Sequence, residues 1–303
     1  MTLTRRAMLS ACLSSPLLAA RGVCASELEG ETRVIPSTGA RIPVVGLGTW
    51  TTFNVGSDPA LLASSARVME AFFAEGGGMI DSSPMYGSSQ QTVGHGLSQL
   101  GSQETLFAAD KIWTSSVDDG PDQIALTRSR WRVPRFDLLQ VHNLRAVEGH
   151  LEMLFEMKSR GALAHVGVTT SHGRRHDELE AVMRRYPLDF IQLTYNILDL
   201  EAERRLLPLA RERGVGVIVN RPFRRGGLIE SFRGEPLPSW AGEIDASSWA
   251  QILLKFVISH PDVTVAIPAT TRPEHMRENK QAARGAQPDP DLRRRMAIDV
   301  QAI

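Results

Sequence analysis

The stretch Gly76-Gly77-Gly78-Met79-Ile80-Asp81-Ser82-Ser83-Pro84-Met85-Tyr86-Gly87 decides how the rest of the chain is read. A glycine turn runs into a short apolar burst, Met79 and Ile80, which ends on the carboxylate of Asp81. The phenol of Tyr86 follows in a polar tail. The apolar pair suits a parallel strand buried on both faces, and the tail suits the loop leaving its C-terminal end. Alone this spacing is weak. It gains meaning only if other chemistry-bearing residues stand at the ends of later strands.

Working outward, apolar bursts recur at 44–48, 79–82, 106–109, 137–141, 165–169, 190–194, 216–219 and 263–267. Amphipathic helical patterns separate them, at 59–75, 92–100, 123–131, 148–160, 178–185, 201–213, 246–259 and 273–281. Eight strand-like bursts, each followed by a helix, predict an α/β fold, an eight-stranded parallel (β/α)8 TIM barrel. Short strands at 32–34 and 41–43 flank Ser37-Thr38-Gly39-Ala40 and predict a small N-terminal hairpin in front of it. A last helix runs from 289 to the end. The longest irregular segment, 221–242, is expected on the functional face after the seventh barrel strand. No linker composition or internal repeat divides the chain, so residues 26–303 read as one domain.

The 303 residues are 42% hydrophobic, enough for a large core, and carry 34 basic against 34 acidic side chains. The balanced charge gives no reason to expect a nucleic-acid partner. No apolar run reaches the roughly 18–20 residues of a bilayer span, so stable membrane insertion is not expected. The N-terminus reads as an export signal over 1–25. Arg5 and Arg6 precede a modestly apolar stretch, Val23-Cys24-Ala25 offers small residues for cleavage, and no acidic residue occurs before Glu27. The pattern resembles a twin-arginine signal, with that export machinery as partner and the periplasm as destination; the other reading is an amphipathic arm. Cleavage would remove both cysteines, Cys12 and Cys24, leaving a chain without thiols for an oxidising compartment.

If the barrel forms, side chains at the strand ends converge on one face. Asp81 ends the second strand, Lys111 follows the third, His142 follows the fourth, and Tyr86 overhangs from the loop after the second. Each alone reads as ordinary: a packing tyrosine, a structural ion pair, a polar strand cap. Together they suit carbonyl reduction. Hydride arriving at a carbonyl carbon leaves negative charge on oxygen, which must be protonated or held by donors. Tyr86 would give the proton, its pKa of ~10 lowered by the Lys111 ammonium. Asp81 would fix Lys111, and His142 would orient the carbonyl. No GxGxxG follows a strand, and His172 and His176 lack the carboxylate of an HExxH metal site, so no metal is expected.

These residues resemble the aldo-keto reductase family, nicotinamide-dependent reductases on an eight-stranded barrel. Val45-Gly46-Leu47-Gly48-Thr49-Trp50 is similar to its first strand and loop, and Met79 through Gly87 to the signature around its Asp and Tyr. Lys111 and His142 match the other two catalytic positions. Val166-Gly167-Val168-Thr169, the run 190–196, and Ile267-Pro268 through Glu278-Asn279 match strand five, strand six and the cofactor stretch. The resemblance implies an oxidoreductase that reduces a small aldehyde or ketone with NADP(H) preferred and NAD(H) possible.

It also implies cofactor positions. Gln192 matches the glutamine on the nicotinamide carboxamide, and Thr169 and Thr170 stand where a Ser-Asn pair is usual. Asn220, with Pro222 and Phe223 following, stands where a tyrosine often stacks on the ring, so positioning would pass to Phe223 or a shifted loop, Pro222 opening the loop over the pyrophosphate. Arg224 and Arg225 would charge the pyrophosphate loop, and Glu278 and Asn279 would read the adenine. Ala269 and His275 replace the cations that commonly hold a 2′-phosphate, with Thr270, Thr271 and Arg272 as substitutes. Trp50 and Trp113 would wall the substrate pocket. The rival expectation is a nicotinamide-binding sensor or partner subunit with vestigial catalysis.

Overall fold

Two short strands, β1 (Thr32–Val34) and β2 (Arg41–Pro43), pair antiparallel with Thr32 opposite Pro43, forming the expected hairpin. The structure, a computed structural model, describes residues 30–302. The export signal expected over 1–25 therefore lies outside the described residues. After the hairpin come β3 (Leu47–Gly48), α1 (Pro59–Ala74), β4 (Gly78–Asp81), α2 (Ser89–Leu100), β5 (Leu106–Ile112), α3 (Gly120–Trp131), β6 (Leu138–Val141) and α4 (Val147–Ser159). Then follow β7 (His165–Thr169), α5 (His176–Arg185), β8 (Phe190–Thr194), α6 (Leu206–Arg213), β9 (Gly216–Asn220), α7 (Gly227–Ser231), α8 (Trp249–Ile258), β10 (Val265–Ala266), α9 (Pro273–Gln281) and α10 (Pro290–Gln301).

Strands β3 to β10 lie side by side in sequence order as one eight-stranded parallel sheet. A parallel bridge from Val45 to Ala266 closes the sheet on itself. There Gly46 N–H donates to Ala266 O at 2.8 Å and Ala266 N–H to Val44 O at 2.9 Å. The (β/α)8 barrel is thus present. Helices wrap it with apolar faces turned inward, and α8 is buried along its whole length. In α1, Asp58 Oδ1 accepts from the N–H groups of Ala60 and Leu61 at 2.8 and 3.0 Å, and Pro59 occupies the first turn. Val68, Met69 and Phe72 of that helix are buried against the barrel.

Alternation along the strands sorts the side chains. Ile80, Leu139, Val166, Val168, Ile191, Val217 and Val219 belong to the outer core shared with the helices. Met79, Ala109, Leu138, Phe190, Ile218 and Val265 fill the interior, joined by Ile35 and Ile42 of the hairpin region. Above this apolar plug the inward positions turn polar. Gly167 makes room for the change of layer, since a Cβ there would meet Phe190 O at 2.7 Å and Gln140 Cγ at 3.2 Å.

Three expectations are corrected. The pattern at 201–213 is two elements, a 3-10 turn at Glu201–Arg204 and then α6, broken at Arg205. Pro208 explains it: within one continuous helix its missing N–H would leave the Arg204 carbonyl unpaired, whereas in a first turn it is tolerated. The segment 221–242 is not wholly irregular, because α7 and a 3-10 turn at Ser239–Ile244 form in or across it. The third strand extends to Ile112, so Lys111 stands within it. This extension is stable because the outward Asp110 is buried and accepts from Lys111 N–H at 2.6 Å, Trp131 Nε1–H at 2.6 Å and the Gln90 amide at 3.0 Å. Among the described residues no helix is long and apolar enough to cross a membrane.

Candidate active site

Asp81 is the last residue of β4 and Lys111 the last but one of β5, so both point into the top of the barrel. Their buried side chains meet at 2.5 Å, Lys111 Nζ to Asp81 Oδ2. Lys111 also donates to Ser82 O at 2.8 Å. The other carboxylate oxygen, Asp81 Oδ1, accepts from the amides of Gln140 at 3.1 Å and Gln192 at 2.9 Å. A buried ion pair is tolerated when its remaining lone pairs are satisfied in this way. Burial by itself would lower the Lys111 pKa, but Asp81, Tyr86 and Asp110 together hold it above its ordinary value, so the ammonium stays charged.

Tyr86 hangs over this pair. Lys111 Nζ lies 5.1 Å from its ring centroid. The turn carrying it depends on Gly87, whose φ of +61° is left-handed and whose Cβ would strike Asn54 Oδ1 at 2.2 Å. Asn54 Oδ1 accepts instead from Ser88 N–H at 2.9 Å, which anchors the loop. The expected depression of the phenol pKa is not found. Burial pushes Tyr86 up to about 12, and the Lys111 ammonium offsets this only in part, with Asp81 acting in the same direction as burial. The phenol is therefore protonated at neutral pH.

His142 opens a 3-10 turn directly after β6. Its ring meets Tyr86 edge to face at 5.7 Å between centroids and Trp113 at 4.9 Å. Burial, then Lys111, then Arg145 hold its pKa well below 6.5, so it is neutral. The following backbone is strained: Asn143, Leu144 and Ala146 all have positive φ, at 53°, 54° and 46°. Such conformations persist where surrounding contacts over-determine them. One of those contacts is Asn143 N–H donating to Thr169 Oγ1 at 3.2 Å.

A cavity of about 1190 Å³ spans the barrel mouth from Tyr86 and His142 to Glu278 and Asn279. It exceeds the ordinary range of small-molecule sites, about 300–1,000 Å³, and its volume is large enough for a dinucleotide together with a small substrate. Asp81, Thr169, Thr170, Gln192, Asn220, Pro222, Phe223 and Arg225 line it, as do Thr270, Thr271 and Arg272, and Trp50 forms part of the wall. Arg225 and Arg221 stack over Trp50, their guanidinium carbons 4.0 and 5.3 Å from its centroid. Asn220 is a polar junction rather than a bare gap. Its amide donates to Thr170 O at 3.0 Å and Gln192 Oε1 at 3.3 Å and accepts from the Thr194 hydroxyl at 2.6 Å. Glu278 Oε1 accepts from the Ser248 hydroxyl at 2.5 Å. Thr270 Oγ1 accepts from Arg272 N–H at 3.1 Å, leaving the Arg272 side chain exposed and 3.9 Å from Glu274.

Three of the expected site residues fall outside this wall, Lys111 because it is buried beneath Tyr86 with Asp81. Arg224 is held away from it by Asp199, whose Oδ2 accepts from Nε at 2.8 Å. Trp113 backs His142 instead of lining the cavity, and carries Arg145 at 4.3 Å on its ring. The sequence reading missed Ser83, Gln140 and Arg221. Gln140 was findable: it stands two residues before His142, on the same inward side of β6. Ser83, two after Asp81, donates to or accepts from His142 Nδ1 at 2.7 Å. Arg221 offered no signal beyond its place beside Asn220.

Residues 44–294 match the model of the family described as Aldo/keto reductase family. The chain is similar to the aldo-keto reductase YhdN of Bacillus subtilis, 27% identical over 64% of this chain and 62% of that protein. It is also similar to the NADH-specific methylglyoxal reductase of Escherichia coli, 25% identical over 65% of this chain and 68% of the relative. A crystal structure of an aldo/keto reductase from Klebsiella pneumoniae, solved with NADP and acetate, superposes with a TM-score of 0.73 at 21% identity. The match covers 86% of this chain and 93% of that one.

Proposed function

The chain belongs to the aldo/keto reductase family, and from that premise we propose that it reduces a small aldehyde or ketone to an alcohol, with Tyr86 as the proton donor. The observation that carries this reading is the buried Lys111–Asp81 pair beneath Tyr86, with neutral His142 edge-on to the phenol, at one end of a dinucleotide-sized cavity. NADP(H) is the preferred cofactor and NAD(H) the second. The Klebsiella structure was solved with NADP, while the Escherichia coli relative is named NADH-specific. Thr169, Thr170, Gln192, Asn220 and Phe223 would hold the nicotinamide end, and Arg225 with the backbone of Gly226 the pyrophosphate. Thr270, Thr271 and Arg272 would face the 2′-phosphate, and Glu278 and Asn279 the adenine.

When bound, the cofactor supplies the hydride. The chain's own groups manage the oxygen. His142 orients the carbonyl by a hydrogen bond, and Tyr86 O–H gives its proton to the developing alkoxide, a far stronger base than the phenolate it leaves. The phenolate is stabilised as it forms by the Lys111 ammonium, which Asp81 holds in place. Trp50 closes the substrate side. Tryptophan-fluorescence titration with NADPH and NADH tests the cofactor assignment: saturable quenching is expected, tighter with NADPH, and failure with both contradicts it.

We also propose that residues 1–25 direct export to the periplasm through the twin-arginine machinery. Arg5-Arg6 before an apolar stretch supports this. Fractionation of cells expressing a chain with Arg5 and Arg6 changed to lysine tests it, since unchanged periplasmic accumulation contradicts the route.

A further inference from the structure

We propose that Ser83 is a positioning residue that fixes His142 as the tautomer protonated on Nε2, so that His142 presents a donor to the substrate oxygen. This deepens the reductase reading and rests on it for its catalytic meaning, but not for its structural content.

The argument is one of hydrogen-bond satisfaction. Ser83 is fully buried. Its Oγ lies 2.7 Å from His142 Nδ1 and accepts from Met85 N–H at 3.2 Å. A hydroxyl has one proton and two lone pairs. Were the imidazole proton on Nδ1, both lone pairs of Ser83 would be taken by N–H donors. Its own proton would then have no acceptor among the described residues. With Nδ1 bare, the Ser83 proton points to it, Met85 N–H uses one lone pair, and no buried donor is left unpaired. Because burial, Lys111 and Arg145 keep the ring neutral, its single N–H must be at Nε2.

That nitrogen has no protein partner and is not among the buried atoms lacking one, while His142 lines the cavity. Nε2–H is therefore aimed where a carbonyl oxygen would be held beside Tyr86. The opposite tautomer would present a lone pair there and repel that oxygen. Ser83 touches neither substrate nor cofactor in this account; it acts through His142.

The test has two arms. In the first, long-range nitrogen–proton NMR on the nitrogen-15-labelled protein reads the tautomer without any turnover, with His142 assigned by comparison with His142→Gln. Nδ1 is expected to resonate as a bare ring nitrogen and Nε2 as a protonated one, and Ser83→Ala is expected to mix the two tautomers. In the second arm, Ser83→Ala lowers kcat/KM for aldehyde reduction about tenfold with NADPH affinity kept within about twofold, and has no further effect in a His142→Gln background. An Nδ1–H ring in the unaltered protein, unchanged tautomers in Ser83→Ala, or an equal kinetic loss with and without His142 would each overturn the proposal. Absence of all carbonyl turnover would sink the reductase reading, and the NMR arm would still decide the role of Ser83.

Discussion

Gln192 donates from its side-chain amide to Asp81 Oδ1 at 2.9 Å, joining the cavity wall to the buried ion pair. The same side chain lines the cavity. In the proposed reading, nucleotide binding and the stability of the Asp81–Lys111 pair are coupled through this one amide. Gln192→Ala leaves Asp81 Oδ1 with Gln140 as its one amide donor, and is expected to cost about 1–3 kcal/mol of unfolding free energy. Urea denaturation checks this, and a parallel fluorescence titration should show nucleotide affinity falling as well. Loss of affinity with unchanged stability would mean that the bond to Asp81 contributes nothing.

Lys111→Met removes the counter-charge from a sealed carboxylate. Breaking one side of a buried pair costs about 3–5 kcal/mol, because the remaining charge is uncompensated. The double change Lys111→Met with Asp81→Asn should recover much of that stability in chemical denaturation while remaining inactive. A double variant no more stable than the single one would contradict the pair's role as mutual compensation.

Arg272 lines the cavity at the expected 2′-phosphate position, exposed and 3.9 Å from Glu274. Arg272→Ala is predicted to weaken NADPH binding about tenfold, or ~1.4 kcal/mol, and to leave NADH within about twofold. Equal losses for both nucleotides would move the 2′-phosphate elsewhere in the cavity.

Much of this was legible in the sequence. The eight strands, and the meeting of Asp81, Tyr86, Lys111 and His142 at the barrel top, were readable because strand periodicity and the strand-end rule depend on local pattern and spacing. Arg224 and Trp113 were not, since a partner distant in sequence (Asp199) or a neighbouring ring (His142) decides which way each side chain turns. Lys111 does lower the Tyr86 pKa, but the net direction was not legible for a related reason. Its sign depends on how far burial outweighs one ammonium, and burial is a property of the assembled barrel. Ser83 was passed over because a serine after a strand carries no signal until the imidazole it faces is known.

Stability should depend on pH through Lys280, which is buried and donates to Gly77 O at 2.6 Å and Val45 O at 3.2 Å. Burial pulls its pKa down to about 8 from 10.5. The unfolded chain then binds more protons than the folded one between those values, so stability rises with pH across that window and the penalty is constant below it. Between about pH 8 and pH 9.5 the contribution of Lys280 is on the order of 1–2 kcal/mol. Urea midpoints of the unaltered protein and Lys280→Met over this range should differ by that slope; parallel curves would contradict it.

The central claim is that Tyr86 is the proton donor of a working reductase, and steady-state NADPH oxidation with a panel of small aldehydes and ketones tests it most directly. Tyr86→Phe should lower kcat by about 10²–10⁴-fold, the usual worth of a positioned general acid, with nucleotide binding intact. Turnover unaffected by Tyr86→Phe, or nucleotide binding with no turnover by the unaltered protein, would contradict the account, the latter result favouring a nicotinamide-binding sensor.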